Sequence, residues 1–439
     1  MASPKLSPRP FFDTLENLVE QYRACVATSP QSVITAWLTH CCVESDILMP
    51  DFAVRDYQQV LNFLYSYRGS MDTFNAYRRE LERLIQWCWF IQYKSLLEMK
   101  RADVEAFIEF SQKPPTTWIG TKTVAKFIDF QGLRQVNLEW RPFIVKVSKK
   151  SFQEGARAKR RDYQLSSEGI RQIFAILSSF YNYLLQEEQI EYNPILQIRQ
   201  KSKFIRKNQT LPTVRRLSVL QWEAVIQTAT DLADRNPLLH ERTLFIIQTL
   251  YSMYLRISEL SASTRWVPLM SHFFRDANGD WWFKTVGKGN KMRQIAVSPG
   301  MLQALKRWRN YLQLPPFPSP DEHIPLIPKN RGKGPISSTR ALRIIVQICF
   351  DQAITKLRRE GKAEEADILL SVTVHWLRHT GISDDVKIRP REHVRDDAGH
   401  SSSAITDRYI DVELKERADT AKKKGMAKPT STIREVPTT

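Results

Sequence analysis

Apolar residues recur every three or four positions through most of the chain, so the expected structure is dominated by helices. Behind a Pro-rich opening, Leu15, Leu18, Val19 and Tyr22 outline an amphipathic helix over 15–26. Between Asp51 and Phe110 one stripe runs through Val54, Tyr57, Val60, Leu61, Leu64 and Tyr65, and a second through Tyr77, Leu81, Leu84, Ile85 and Cys88. A third helix follows over 106–110, with Asp103 read as its cap. Pro114-Pro115 closes this stretch, and residues 116–165 change texture: Trp118, Trp140 and Phe143 are scattered, and a strand-like run spans Phe143 to Val147. Helical period returns over 166–188 on Ile170, Ile173, Phe174, Leu177, Phe180, Tyr181 and Leu184, and Asn193-Pro194 ends it. Ser218 followed by Gln221 reads as a capping box for a helix burying Trp222, Val225 and Ile226. After another apolar helix over 241–254 the period changes to two. D-A-N-G-D at 276–280 is a turn, W-W-F-K-T-V a strand, G-K-G-N a turn and M-R-Q-I-A-V the returning strand. Helices over 300–313 and 338–360 flank a Pro-rich loop at 315–335. The pattern thus predicts a mainly α chain with one small antiparallel β-sheet.

Composition narrows the partner. The chain has 439 residues, enough for two or three domains, and 42% apolar with 10% aromatic residues, enough for full cores. Its formal charge is +18 and its pI about 9.7, which points to a polyanion, nucleic acid first, with a merely basic surface as the plain alternative. The charge is clustered. Arg78, Arg79 and Arg83 share a helix with Tyr77, as a groove reader or as a solvated basic face. Lys149, Lys150, Arg157, Lys159, Arg160 and Arg161 enclose a single acid, Glu154, and read as a loop on a DNA backbone. Lys201, Lys203, Arg206, Lys207, Arg215 and Arg216 include no acid among them and read as a linker stretched along DNA, or simply a flexible one. Residues 1–48 differ, with five Asp/Glu against three Lys/Arg, and their helix reads as a packing element rather than a DNA-binding arm. Cysteines 25, 41, 42, 88 and 349 lack metal or disulfide spacing and read as reduced, cytoplasmic thiols. The opening M-A-S-P-K-L-S-P has no apolar signal core, and no apolar run approaches a membrane span, so no membrane partner is expected.

Candidate chemistry is concentrated near the end, from Ser371 to Asp411. His375 and Arg378, three apart, share a helix face, with Val374 and Leu377 turned to the core. Ala398-Gly399 reads as a helix end with His400 just past it, and Tyr409 falls beside Arg408 in a polar helix. Arginines, histidines and a phenol suit a phosphate: cations for its charge, a hydroxyl to attack it. His375 and His379 at i, i+4 invite a metal, but zinc-protease spacing needs Glu after the first His and Trp376 stands there. No metal and no cofactor are expected.

His375, Arg378, His400 and Tyr409 resemble the H-x-x-R…G-H…Y signature of tyrosine recombinases, the phage-integrase family. L-R-I-S-E-L at 255–260 looks like that family's first arginine box, and G-K-G-N-K-M-R at 287–293 like its lysine-bearing hairpin. The resemblance covers roughly 215–415. It implies a helical core-binding domain and a mixed α/β catalytic domain forming a C-shaped clamp: an N-terminal extension over 1–48, a DNA-binding domain over 49–205 with an insertion at about 116–165, a basic linker over 206–216, the catalytic domain over 217–425 and a tail over 426–439. It implies that Tyr409 is the nucleophile, that Arg256 and Arg378 hold the phosphate, that His375 and His400 donate to it, and that Glu259 orients Arg256. Lys288 is implied as the general acid, with Lys291 and Arg293 as rivals or phosphate anchors. The implied partners are duplex DNA recombination sites and three further copies in a homotetramer, with an accessory DNA-bending or element-encoded protein left open. A prokaryotic, nucleoid-associated location and a role in a mobile element follow from the same resemblance. A type IB-like topoisomerase and a non-catalytic DNA-binding regulator are the alternatives. The chain departs from the pattern at Tyr254, where glycine is frequent, at Ala398, where leucine is common, and over G-I-S-D-D-V-K-I-R-P after Arg378-His379-Thr380.

Overall fold

The computed structural model describes residues 8–42, 48–199, 204, 215–287, 289–400 and 421–422. These fall into two compact units, divided at the 210/211 boundary. Both are mainly helical.

Unit one contains α1 (Leu15–Ala27), α2 (Pro30–Cys42), α3 (Ala53–Ser66), α4 (Met71–Trp87), α5 (Arg101–Gln112), α6 (Lys149–Gln153), α7 (Ser167–Gln186) and α8 (Pro194–Arg199). Short strands β1 (Ile119–Gly120), β2 (Phe127–Phe130), β3 (Leu133–Val136) and β4 (Phe143–Ile144) lie between α5 and α6. The expected stripes form its core: Tyr57, Val60, Leu61 and Leu64 on α3, Leu81, Leu84 and Ile85 on α4, and Ile173, Leu177 and Phe180 on α7 are all buried together. The acidic opening segment shares this core through Phe11, Phe12, Leu18, Ile34 and Leu38. Phe12 stacks on Tyr57 with centroids 4.7 Å apart, and Glu82 accepts hydrogen bonds from the backbone N–H of Phe11 at 2.7 Å and Phe12 at 3.2 Å.

Several local readings need correcting. Asp103 is the third residue of α5 rather than its cap; its carboxylate reaches back to Lys100 N at 2.7 Å. Within 116–165 the strand expected over 143–147 is only Phe143–Ile144, and the stretch holds further order. β1 and β4 pair in parallel, β2 and β3 form an antiparallel hairpin, and Trp118, Ile119, Phe143 and Val145 make a small core of their own. Lys149 and Lys150 sit on the short α6, opened by the Ser148 hydroxyl.

Unit two is built from α9 (Val219–Arg235), α10 (Pro237–Ser252), β5 (Phe273–Arg275), β6 (Trp281–Val286), β7 (Met292–Ala296), α11 (Pro299–Tyr311), α12 (Thr339–Arg359), α13 (Ala363–Leu369), α14 (His375–Asp385) and α15 (Arg391–Ala398). Ser218 and Gln221 make the expected reciprocal cap on α9. The sheet is antiparallel in the order β5-β6-β7, with Phe283 opposite both Phe273 and Ile295, and all three rings or side chains enter the core. β5 was not read from the sequence. α14 crosses α10 so closely that a Cβ on Gly381 would lie 2.0 Å from the Tyr251 carbonyl oxygen. α15 ends at Gly399 with φ 65°, as Ala398-Gly399 suggests, and this hands His400 back toward α14.

Candidate functional site

The centre of unit two's polar cluster is one carboxylate. Glu259, 2% exposed, ends a short 3₁₀ turn, Ile257–Glu259, directly after α10. It accepts from Arg256 Nη1 at 3.0 Å, from the Arg256 backbone N–H at 3.0 Å, and from Arg293 at 2.9 and 2.7 Å through both Nη atoms. Burial alone would raise this carboxyl; hydrogen bonds and charge from Arg293, then Arg256, hold it below the ordinary range instead. Gly287, at the start of the 287–293 turn, comes so near that a Cβ there would lie 2.8 Å from Arg293 Nη1 and 3.5 Å from Arg256 Nη1. The hairpin and the first arginine box are therefore packed together.

Arg378 approaches from α14 and is 2% exposed. Its Nη1 donates to the Tyr254 carbonyl, and its Nη2 donates to the Ala398 carbonyl at 2.7 Å and lies 3.2 Å from His400 Nε2. Carbonyl oxygens hold a guanidinium in place without cancelling its charge. The histidines feel that charge. His400 drops from 6.5 to about 4, chiefly through burial and then through Arg378, Arg256 and Arg293. His379 drops to about 3, through burial, His375 and Arg378 in that order. His375, open to solvent on one side, is lowered too, by lost hydration and by Arg378, Arg256 and Arg215. At neutral pH all three are unprotonated rings, each with one N–H to donate and one nitrogen to accept a proton. The His375 and His379 rings meet edge to face at 4.4 Å.

So Arg256, Glu259, Arg378, His375 and His400 converge, drawn from α10's end, α14 and the turn after α15. The arrangement is a cationic cluster with neutral histidines beside it, suited to an anionic tetrahedral group. Lys288 and Tyr409 lie outside the described residues, as do Lys201, Lys203, Arg206 and Lys207.

No family model and no curated protein matches the chain. Solved structures do align with it. One is the XerH site-specific recombinase in a post-cleavage complex with palindromic difH substrate: 15% identity, 94% of this chain, 98% of that chain, TM-score 0.49. Another is a Tn1549 transposon integrase in complex with transposon right end DNA, at 15% identity, covering 84% of this chain and 98% of that one, with a TM-score of 0.46. A lambda integrase dimer bound to a COC′ core site aligns at 12% identity over 89% and 88% of the two chains, with a TM-score of 0.45.

Some basic residues are placed differently from the sequence reading. Arg293, expected as a phosphate anchor, turns inward: besides Glu259 it donates from Nε to the Asp397 carbonyl at 2.9 Å. The buried Glu259 carboxylate needs a second cation, and Arg293 supplies it. Arg83 is likewise turned inward, pairing with Glu80 at 2.8 Å, donating to the Pro142 carbonyl at 2.9 and 2.6 Å and covering the Phe143 ring. Arg78 reaches the Asp13 carbonyl and Asn75, and Tyr77 stacks on Phe63 at 5.4 Å, so this helix face packs rather than reads. Arg79 stays half open beside Glu80. Lys150, Arg157, Lys159, Arg160, Arg161, Arg215 and Lys291 are exposed, whereas Lys149 and Arg216 are half-buried.

The sequence reading passed over the residues behind the cluster. Half-buried Asp385 and Arg389 and buried Asp397 form a chain of contacts from Tyr254 to Arg293. Their signal was present in spacing: Asp385 is two turns beyond Arg378 on α14, and Arg389 follows Asp385 by four.

Proposed function

We propose that this protein is a tyrosine recombinase that cuts and rejoins duplex DNA at specific sites through a 3′-phosphotyrosine. The observation that carries the reading is the convergence of Arg256 and Arg378 with neutral His375 and His400, at the positions the family pattern requires. In this reading Tyr409 Oη attacks the scissile phosphorus. The new oxygen–phosphorus bond forms as the bond to the 5′ oxygen breaks, and that oxygen leaves with a proton from Lys288. The phenol's own proton passes to a neutral histidine, His375 or His400. A free phenol lies about 3 units below its pKa at neutral pH, roughly 4 kcal/mol from ionised, so the neighbouring cations and proton acceptor are needed. A second strand's 5′ hydroxyl then reverses the steps, so no external energy source is consumed.

In this reading Arg157, Lys159, Arg160, Arg161 and the 201–216 basic stretch would lie against the duplex backbone. Four copies on two paired sites would exchange strands through a Holliday junction, in the service of a mobile element's integration, excision or resolution. Removing residues 412–439 should leave duplex binding intact and weaken assembly and recombination.

The deciding experiment incubates purified protein with DNA from its own genetic neighbourhood and maps where covalent protein–DNA adducts form. Adducts at one sequence, ending at Tyr409 by mass spectrometry and lost in Tyr409→Phe, are expected. Normal strand exchange by Tyr409→Phe would overturn the reading. Relaxation of supercoiled plasmid with no dependence on a particular sequence would favour a topoisomerase instead.

A further inference from the structure

The grip on Arg378 is made by backbone, and that backbone is itself held by residues outside the reacting set. Tyr254, whose carbonyl accepts from Arg378 Nη1, has φ 49°. That left-handed conformation is unfavourable for a bulky L-residue and persists only where its surroundings impose it. Here the Tyr254 ring is wholly buried, its hydroxyl donates to Asp385 Oδ2, and the same hydroxyl accepts from Arg389 Nη1 at 3.0 Å. Burial and Asp385 push the Tyr254 phenol well up, so it remains a donor at any working pH.

The other acceptor of Arg378 is Ala398 O, and Asp397 precedes it in the chain. Asp397 Oδ2 accepts from Arg389 Nη2 at 2.6 Å, its Oδ1 accepts from Ala296 N on β7 at 3.2 Å, and its carbonyl accepts from Arg293 Nε. One guanidinium, that of Arg389, therefore ties down both backbone segments that hold Arg378. One arm works through Tyr254 and Asp385, the other through Asp397. The fork of arginine is required for this, because a lysine ammonium lacks two rigidly separated arms.

We propose that Arg389, acting with Tyr254 and Asp385, is a positioning residue that locks the Arg378 guanidinium at the angle from which it holds the scissile phosphate. The inference deepens the recombinase reading and rests on it for the identity of that phosphate. Displacement of a binding group by about 1 Å can slow an enzymatic step about 10²-fold, so a residue that never touches the DNA can matter this much.

The test uses the full-length chain with ¹³C-labelled histidine and follows the titration of His400, which sits against Arg378 and reports its charge. Three variants are compared: Arg389→Met, Tyr254→Phe and Arg389→Lys. A released guanidinium repels the His400 proton less, so Arg389→Met should raise the His400 midpoint by about one pH unit. Tyr254→Phe, which keeps the ring, should shift it the same way by less, and Arg389→Lys should restore only part of the wild-type value. In adduct assays at saturating DNA, Arg389→Met should slow covalent capture about 10²-fold with duplex affinity unchanged. An unmoved His400 midpoint in folded Arg389→Met overturns the proposal; should that variant not fold, an unmoved midpoint in Tyr254→Phe does so. Because the titration needs no DNA, a wild-type protein that never forms adducts would sink the recombinase reading separately.

Discussion

At the scale of single residues the cluster is governed by one buried anion and several crowded cations. Glu259 serves two arginines at once, so its loss leaves both without their shared anchor. Glu259→Ala is expected to destabilise unit two by about 3 kcal/mol or more, since breaking a buried pair strands a charge. Thermal melting of variant and wild type would show this, and an equal melting temperature would refute it. The histidines make a pH prediction. Between pH 6.5 and about 4 the unfolded chain binds a proton at His400 that the folded chain refuses, so stability falls as pH drops through that window and levels off below it. His379 acts in the same direction, down to about 3. The melting temperature of wild-type protein should therefore decline more steeply from pH 7 to about 4.5 than that of His400→Gln. Parallel declines would show that His400 is not held neutral.

At the scale of elements, close approach explains both what holds and what was legible. The Gly381 Cβ position, 2.0 Å from a backbone oxygen of α10, cannot be filled without moving a helix. Gly381→Ala should cost about 2–3 kcal/mol and separate α14, with Arg378 on it, from α10. Circular dichroism melts would check the loss, and unaltered stability would contradict the packing. Elements with a strong local signal were readable: the α9 capping box, the β6–β7 hairpin with its glycine turn, the end of α15 at Gly399. Others lacked one. The β2–β3 hairpin turns through Gln131 and Gly132 at φ 49° and 77°, and Gln-Gly advertises such a turn far less than Asn-Gly. β5 has three residues, too few to show alternation, and is strand only because β6 lies beside it. The α2 helix had its signal in Ile34, Leu38 and Cys41 at helical spacing behind Pro30, unused in the reading. The cluster residues Arg256, Arg378, His375 and His400 were legible as types and spacings, whereas the inward turn of Arg83 and Arg293 depends on Glu80, Pro142, Glu259 and Asp397, brought near only by folding.

At the scale of the whole molecule, two separately cored units share a chain carrying +18. If the chain grips duplex DNA as proposed, it would displace many counterions, so its dissociation constant for a duplex should rise about 10³-fold or more between 50 and 200 mM salt. Fluorescence anisotropy with a labelled duplex would measure it, and a flat response would exclude an electrostatic grip. The way unit one keeps its first described residues has a practical corollary. Phe11 and Phe12 are wholly enclosed, and the Phe11 carbonyl accepts from Trp37 Nε1 at 2.7 Å and from the Tyr57 hydroxyl at 3.1 Å. These two rings behave as a tethered plug seated in a socket made by the rest of the unit. A shortened protein starting after Thr14 would expose an empty apolar socket, and a free peptide of residues 8–14, seven residues long, added in solution should reseat there and raise the shortened protein's melting temperature.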